Sequence, residues 1–283
     1  MERTENENSI EEISKPENQI LDTLNQLSIE FDDAFNAFER EGKKIKKSRV
    51  SVKKVRTYLR LAEFIFPEDF SYDTFNKEIK PFFQKAGQLR DIKLQIKFFQ
   101  KDPFFQREKL TDYISHLESN LLSAEDDIEC IDISPIKELI KNELNKIIEK
   151  FSELEPSFIN YKTAHYLAAQ ENQYELLLSK IIIEDDIHEV RKLLKHIFFM
   201  SETFQLSIFN QNLSSQKDRL KKIGDWNDMV VRIEHLNDFL VDNIGNVSNM
   251  RIYTLYLNKE KRAANDLILE VLGESILSNY FTV

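Results

Sequence analysis

Between Lys43 and Arg60 the chain carries nine positive charges and no negative ones, although the whole 283-residue sequence has a formal net charge of -10. Most of the molecule repels a polyanion; this stretch attracts one. The residue types suit phosphate. Arginine offers a planar fork for paired hydrogen bonds, and lysine a mobile point charge. On a helix, which turns about 100° per residue, the stretch sorts into two stripes. Val52, Val55, Leu59, Ala62 and Phe66 form a core face about 80° wide. Lys46, Arg49, Lys53, Arg56 and Arg60 share a second arc about 120° round from it, with Lys54 flanking. Like charges at these spacings repel instead of supporting the helix, so a distant carboxylate or an external anion must compensate them.

A second basic motif follows. Arg191 and Lys195, with Lys192 between them and His188 one turn earlier, fall so that Arg191 and Lys195 stand 142 positions after Arg49 and Lys53. Gly87-Gln88-Leu89-Arg90-Asp91 is echoed 137 positions later by Gly224-Asp225-Trp226-Asn227-Asp228. Two motif pairs at nearly one offset suggest duplicated halves meeting around one site. His188 shares the charged arc of Arg191 and Lys195 and, when protonated, would donate to phosphate; its alternative is a core or helix-end hydrogen bond. Arg90 reads as a ligand donor. Asp91 and Asp228 would repel phosphate directly, and read as acceptors that fix nearby Arg and Lys side chains, with a surface ion pair or cap as the alternative. Asn227 beside them either donates or accepts. Gly87 and Gly224 each cost helix propensity, which close helix approach would offset.

The elements that must position these groups are helical. Five Gly, six Pro, 41% hydrophobic residues and long periodic segments predict an all-α protein, with 21 Phe supplying much of the core. Helices are expected over about 13–40, across the basic stretch to Pro67, then over 71–99, 104–125, 135–154, 159–180, 185–204, 215–241 and 258–272. Two related antiparallel bundles are the economical arrangement. The expected division is a flexible acidic N-terminus over 1–12, a first half over 13–130 and a second over 131–283, with Ser134 capping a new helix that has Pro135 at its first position. The single Cys130 cannot make an internal disulfide and reads as a small buried residue of a reducing, cytoplasmic compartment. Neither a basic-then-apolar leader nor an apolar run near 18 residues is seen, so membrane insertion is not expected.

In these motifs the chain resembles the CHAD family, helical domains named for a histidine that opens each basic motif. The family pattern, approximately His-x-x-Arg-x-x-x-Arg-Arg-x-Arg and then Leu-Gly-x-x-Arg-Asp, falls on Lys46, Arg49, Lys53, Lys54 and Arg56, with Ala86, Gly87, Arg90 and Asp91. The second pair falls on His188, Arg191, Lys192, Lys195, Phe198 and Phe199, then Ile223, Gly224, Asn227 and Asp228. The resemblance spans roughly 40–240 and implies two similar bundles whose basic groove binds inorganic polyphosphate, free or in granules, or related phosphorylated polyanions. Lys46 replaces the first histidine and keeps its positive character; Phe199 replaces a tyrosine, and Phe198 replaces an arginine, a loss of charge that weakens the second half.

Enzymatic readings find little support. There is no Walker A loop, zincin motif or nucleophile elbow, and the histidines lack metal-ligand spacing, so no catalytic residue, metal or cofactor is expected. Glu184-Asp185-Asp186 fits a helix start better than a Mg²⁺ site. Two binding alternatives stay open: a nucleic-acid backbone, with Tyr58 as a stacking ring beside the track, and an acidic protein partner docking on the basic face.

Overall fold

The computed structural model describes residues 19–41, 45–180, 184–204, 213–245 and 249–280. These residues form ten helices and no strand: α1 Gln19–Glu41, α2 Ile45–Ile65, α3 Tyr72–Phe99, α4 Pro103–Glu108, α5 Thr111–Glu129, α6 Ser134–Ser152, α7 Pro156–Leu178, α8 Glu184–Phe204, α9 Leu213–Asp242 and α10 Met250–Tyr280. The expected N-terminal arm over 1–12 lies outside the described residues, as do Ile13, Gly42, Lys43 and Lys44.

Local chemistry explains most of the boundaries. The Ser71 hydroxyl accepts from the Thr74 N–H to open α3, and the Asp102 carboxylate accepts from the Phe104 and Phe105 N–H groups to open α4 behind Pro103. The single helix expected over 104–125 is in fact two, because Lys109 adopts the left-handed conformation (φ 51°) between α4 and α5. Ser134 is the first residue of α6 and not its cap, which falls on Ile133 without a side-chain hydrogen bond; the Ser134 N–H donates to the Asp132 carboxylate at 3.0 Å. The last helix begins at Met250, eight residues before the sequence expectation, and carries the buried Tyr253, Tyr256 and Leu257 into the core. Cys130 is exposed at the end of α5, against the expectation of burial.

α2 is the hub. It packs against α1, α3, α6, α7 and α8. Val52, Val55, Leu59 and Ala62 are fully buried as the periodicity requires, but Ser48, Ser51, Thr57, Tyr58 and Leu61 are buried too, so its covered arc is far wider than one amphipathic stripe. The larger core joins α1, α2, α3, α5 and α6 through Phe31, Phe35, Phe82, Phe99, Tyr113 and Phe151, and extends to Met200, Phe239, Tyr253 and Tyr256. A smaller core of Val190, Leu194, Ile197, Ile223 and Trp226 lies among α7 to α10, and Ile233 packs against both. A polar chain ties the two ends of the sequence together. The Tyr113 hydroxyl donates to Gln95 Oε1 at 2.8 Å, Gln95 Nε2 meets His235 Nδ1 at 2.7 Å, and the Tyr113 N–H donates to the Tyr253 hydroxyl at 3.1 Å. Buried polar groups satisfied in this way fix the relation of α3, α5, α9 and α10.

Candidate functional site

Five cations from three helices gather where α2, α3 and α8 face one another: Arg49 and Lys53 from α2, Arg90 from α3, and Arg191 and Lys195 from α8. Two carboxylates accompany them. Asp91 accepts from Arg90 Nη1 at 2.7 Å and acts on Arg49 and Arg191, and Asp228 of α9 acts most strongly on Arg191. Arg49 and Lys53 of the first basic motif and Arg191 and Lys195 of the second therefore act on one another.

The first half is held in detail. Arg49 is only 8% exposed; its Nη1 donates to the Phe83 carbonyl at 2.8 Å, and its guanidinium lies 4.4 Å from the Phe83 ring centroid. Lys53 Nζ and the Arg56 guanidinium approach the same ring at 5.6 and 5.1 Å. Arg56 also donates through Nη2 to the Tyr72 hydroxyl at 2.8 Å, and Arg60 lies over the Tyr72 ring at 4.2 Å. One face of α3 thus carries two rings on which the α2 cations rest, each contact contributing about 0.5–1 kcal/mol or more as it is desolvated. Gly87 completes this seat. A Cβ there would stand 2.7 Å from Arg49 Nη1, so any other residue at this position would displace the end of the Arg49 side chain from its seat. Gly224 meets nothing within 4 Å, which removes the close approach expected for it.

Burial shapes the charges. Desolvation pulls the Lys53 ammonium down to about 7, and Lys195, Arg49, Arg191 and Arg90 add to the effect in that order. Lys195 is lowered by burial first and then by Arg191, Arg90 and Arg49. Arg49 and Arg191 are lowered mainly by burial, yet remain guanidinium cations because their ordinary value is so high. Arg49 Nε is buried without a hydrogen-bond partner among the described residues. Asp91 and Asp228 open onto a cavity of about 180 Å³ between α3 and α9 that none of the five cations lines.

The remaining sequence candidates have other surroundings. Lys46 is exposed on the first turn of α2. Lys54 turns toward α1 and pairs with Glu30 at 2.9 Å, and Lys192 pairs with Glu189 at 2.6 Å on the exposed side of α8. His188 is half-buried with its ring 5.5 Å from that of Trp226, and Asn227 is half-buried on α9 next to Asp228. Tyr58 is only 4% exposed and packs in the core, so it offers no face for a base.

Sequence reasoning passed over Phe83, Tyr72, Tyr166 and His196. Phe83 was legible, since it stands one turn before Gly87 on the same face of α3. Nothing in the sequence links Tyr72 to Arg56 and Arg60, because the contact joins a helix start to the end of another helix. His196, buried on α8, meets the Tyr166 hydroxyl at 2.7 Å; burial first and Arg60 second pull it down to about 3, so it is neutral at physiological pH.

The CHAD domain profile matches residues 31–237, from within α1 to within α9, and takes in both basic motifs and both glycine motifs. The chain belongs to the CHAD domain family. No curated protein and no solved structure matches it. For this CHAD domain the family assignment and the all-α fold agree with a polyanion-binding role without catalysis. Among the described residues no group of three or more His, Cys, Asp or Glu side chains is placed to hold a metal ion, and no helix is long and apolar enough to cross a membrane.

Proposed function

We propose that this CHAD domain binds inorganic polyphosphate, or a related phosphorylated polyanion, between its two motif-bearing halves and leaves the chain intact. The supporting observation is the gathering of Arg49, Lys53, Arg90, Arg191 and Lys195 against two carboxylates, with Arg49 almost fully buried and its Nε unpaired. Five partly desolvated cations are costly unless an anion joins them. A linear polyphosphate has roughly one charge per phosphate and no base or sugar, and it is slim enough to reach recessed donors. Arg56 and Arg60, laid along Tyr72, extend the track beyond the cluster. A nucleic-acid backbone fits less well because Tyr58 is buried, while Phe83 and Tyr72 already lie against guanidinium groups. An acidic protein surface fits less well because the central cations are recessed.

Titration with length-defined polyphosphates, DNA, RNA and nucleotides at several salt concentrations tests this reading. Affinity should rise with polyphosphate length, survive DNA competition and fall with salt; removing one contacting lysine should reduce the salt slope by about 0.7–1. Chain-length analysis after long incubation with Mg²⁺ should find the polymer unchanged. Absence of binding at every length would favour an acidic protein partner instead. Turnover that disappears when Lys53 and Arg56 are reversed to glutamate would overturn the binding-only reading.

A further inference from the structure

The binding reading uses Lys53 only as a charge, yet its position is better suited to a free amine. Lys53 is half-buried beside the Phe83 ring, and the groups acting on it are all cationic: Arg49 of its own helix, Arg90 of α3, and Arg191 and Lys195 of α8. Asp91 pairs with Arg90 and also acts on Arg49 and Arg191, Asp228 acts on Arg191 from α9, and Glu30 of α1 pairs with Lys54. Tyr72 accepts from Arg56, and His196 and Tyr166 adjoin Arg60, farther along α2. Desolvation together with neighbouring cations is the combination that converts a lysine into a nucleophile near neutral pH. The same cations attract a phosphate group.

We infer that Lys53 is an acylation site for small acyl phosphates, docked through their phosphate on the surrounding guanidinium groups. The inference rests on the polyanion reading only in that docking. The Lys53 nitrogen attacks the carbonyl carbon and the carbon–oxygen bond to phosphate breaks. Inorganic phosphate leaves with the bonding pair, and the nitrogen passes its proton to water. No oxidant or reductant is needed. The product amide cannot be protonated, so acylation takes Lys53 out of the cations a polyanion can draw on and weakens polyanion capture most at pH below about 7, where the amine is charged.

Acetyl phosphate is a direct probe on the intact chain, with acetylation of each lysine followed by mass spectrometry at pH 7.5. With the Lys53 ammonium held near 7, about three-quarters of that amine is free at this pH, against about 0.1% for an ordinary lysine near 10.4. Lower basicity takes back part of the gain, as it does for thiols, leaving roughly a tenfold advantage. Lys53 should therefore be acetylated about tenfold faster than the exposed Lys46 and Lys47, with a rate that saturates in acetyl phosphate. A rate no higher than those of Lys46 and Lys47 would overturn the proposal, and a selective rate that stays linear in acetyl phosphate would overturn the docking. Long polyphosphate should slow the reaction. Selective, saturable acetylation that long polyphosphate leaves unchanged supports the acylation site and counts against the polyphosphate reading alone.

Discussion

The two motif-bearing halves bring similar charges to one place and support them differently. In the first half, Phe83 and Tyr72 lie under Arg49, Lys53, Arg56 and Arg60, the Phe83 carbonyl holds Arg49, and Gly87 leaves room for its guanidinium. In the second half, Leu220 stands 137 positions after Phe83, and Phe198 and Glu202 stand 142 positions after Arg56 and Arg60. Lys195 Nζ lies 5.5 Å from the Phe199 ring, and Gly224 faces open space. The repeat keeps the Arg49/Arg191 and Lys53/Lys195 pairs, puts Asn227 where the first half has Arg90, and among the described residues sets more ring contacts under the first half than under the second. The α2–α3 side fixes where its cations point, while the α8 side mainly adds potential.

Charge reversal gives the largest contrast. Lys53→Glu with Arg56→Glu places two carboxylates on the supported track, whereas Lys192→Glu with Lys195→Glu places only one within the cluster. The first pair should weaken polyphosphate binding by roughly a hundredfold or more, about 2.7 kcal/mol and within the range for disrupting buried charge pairs, and the second by about tenfold, about 1.4 kcal/mol and below that range. Isothermal titration after circular dichroism has shown unchanged folding decides the ranking. Equal losses would mean that support adds nothing to charge.

Much of this comparison could be read before the fold was known. The α2 core positions Val52, Val55, Leu59 and Ala62 followed from helical period alone, and the offset of 142 paired Arg49 and Lys53 with the two α8 cations that act on Lys53. Three things were hidden for physical reasons. A single-face period cannot reveal that α2 is packed on several sides, so Tyr58 looked like a surface ring. Charge type says nothing about which basic residues find local partners, so Lys54 and Lys192 looked equivalent to Lys53 and Lys195. A glycine signals either a packing demand or none. Gly87 answers to Arg49, and nothing in the structure explains Gly224.

The glycines sharpen the contrast next. Gly87→Ala gains about 1 kcal/mol of helix propensity but forces Arg49 away from the Phe83 carbonyl, so polyphosphate affinity should fall about tenfold with little or no gain in stability. Gly224→Ala meets no neighbour, so it should keep the propensity gain, raise Tm by a few degrees and leave affinity unchanged. Thermal melts and titrations of the two variants check both halves at once.

A smaller contrast concerns pH. Lys53 is held near 7 in the folded chain and near 10.4 in the unfolded one, so between those values the unfolded chain binds the extra proton and stability rises with pH. The cost of the buried charge is fully present below about 7. Lys53→Met should therefore stabilise the chain at pH 6 by on the order of 1 kcal/mol, with the gap to the parent closing by pH 9–10. Lys195→Met should act in the same direction. Urea unfolding across this range measures the gap. Ligand binding runs oppositely: parent affinity should drop from pH 6 to pH 8 by up to about tenfold per unit as Lys53 gives up its proton, and the drop should be much shallower in Lys53→Met.

The smallest expected effects belong to Lys54 and Lys192, which the sequence grouped with the central cations. Their carboxylate partners are Glu30 at 2.9 Å and Glu189 at 2.6 Å, and the four side chains are between 36% and 65% accessible. Pairs of this kind contribute about 0–1 kcal/mol, and each lysine already has a fixed neighbour in place of a mobile counterion. Lys54→Ala and Lys192→Ala should each change polyphosphate affinity less than about twofold and leave the salt slope unaltered. A slope reduced by about 1 in Lys54→Ala, with no change in Lys192→Ala, would place the α1 side of α2 on the ligand track. The advantage of the first half would then lie in its number of charges, and the aromatic rings and Gly87 would lose their claim to it.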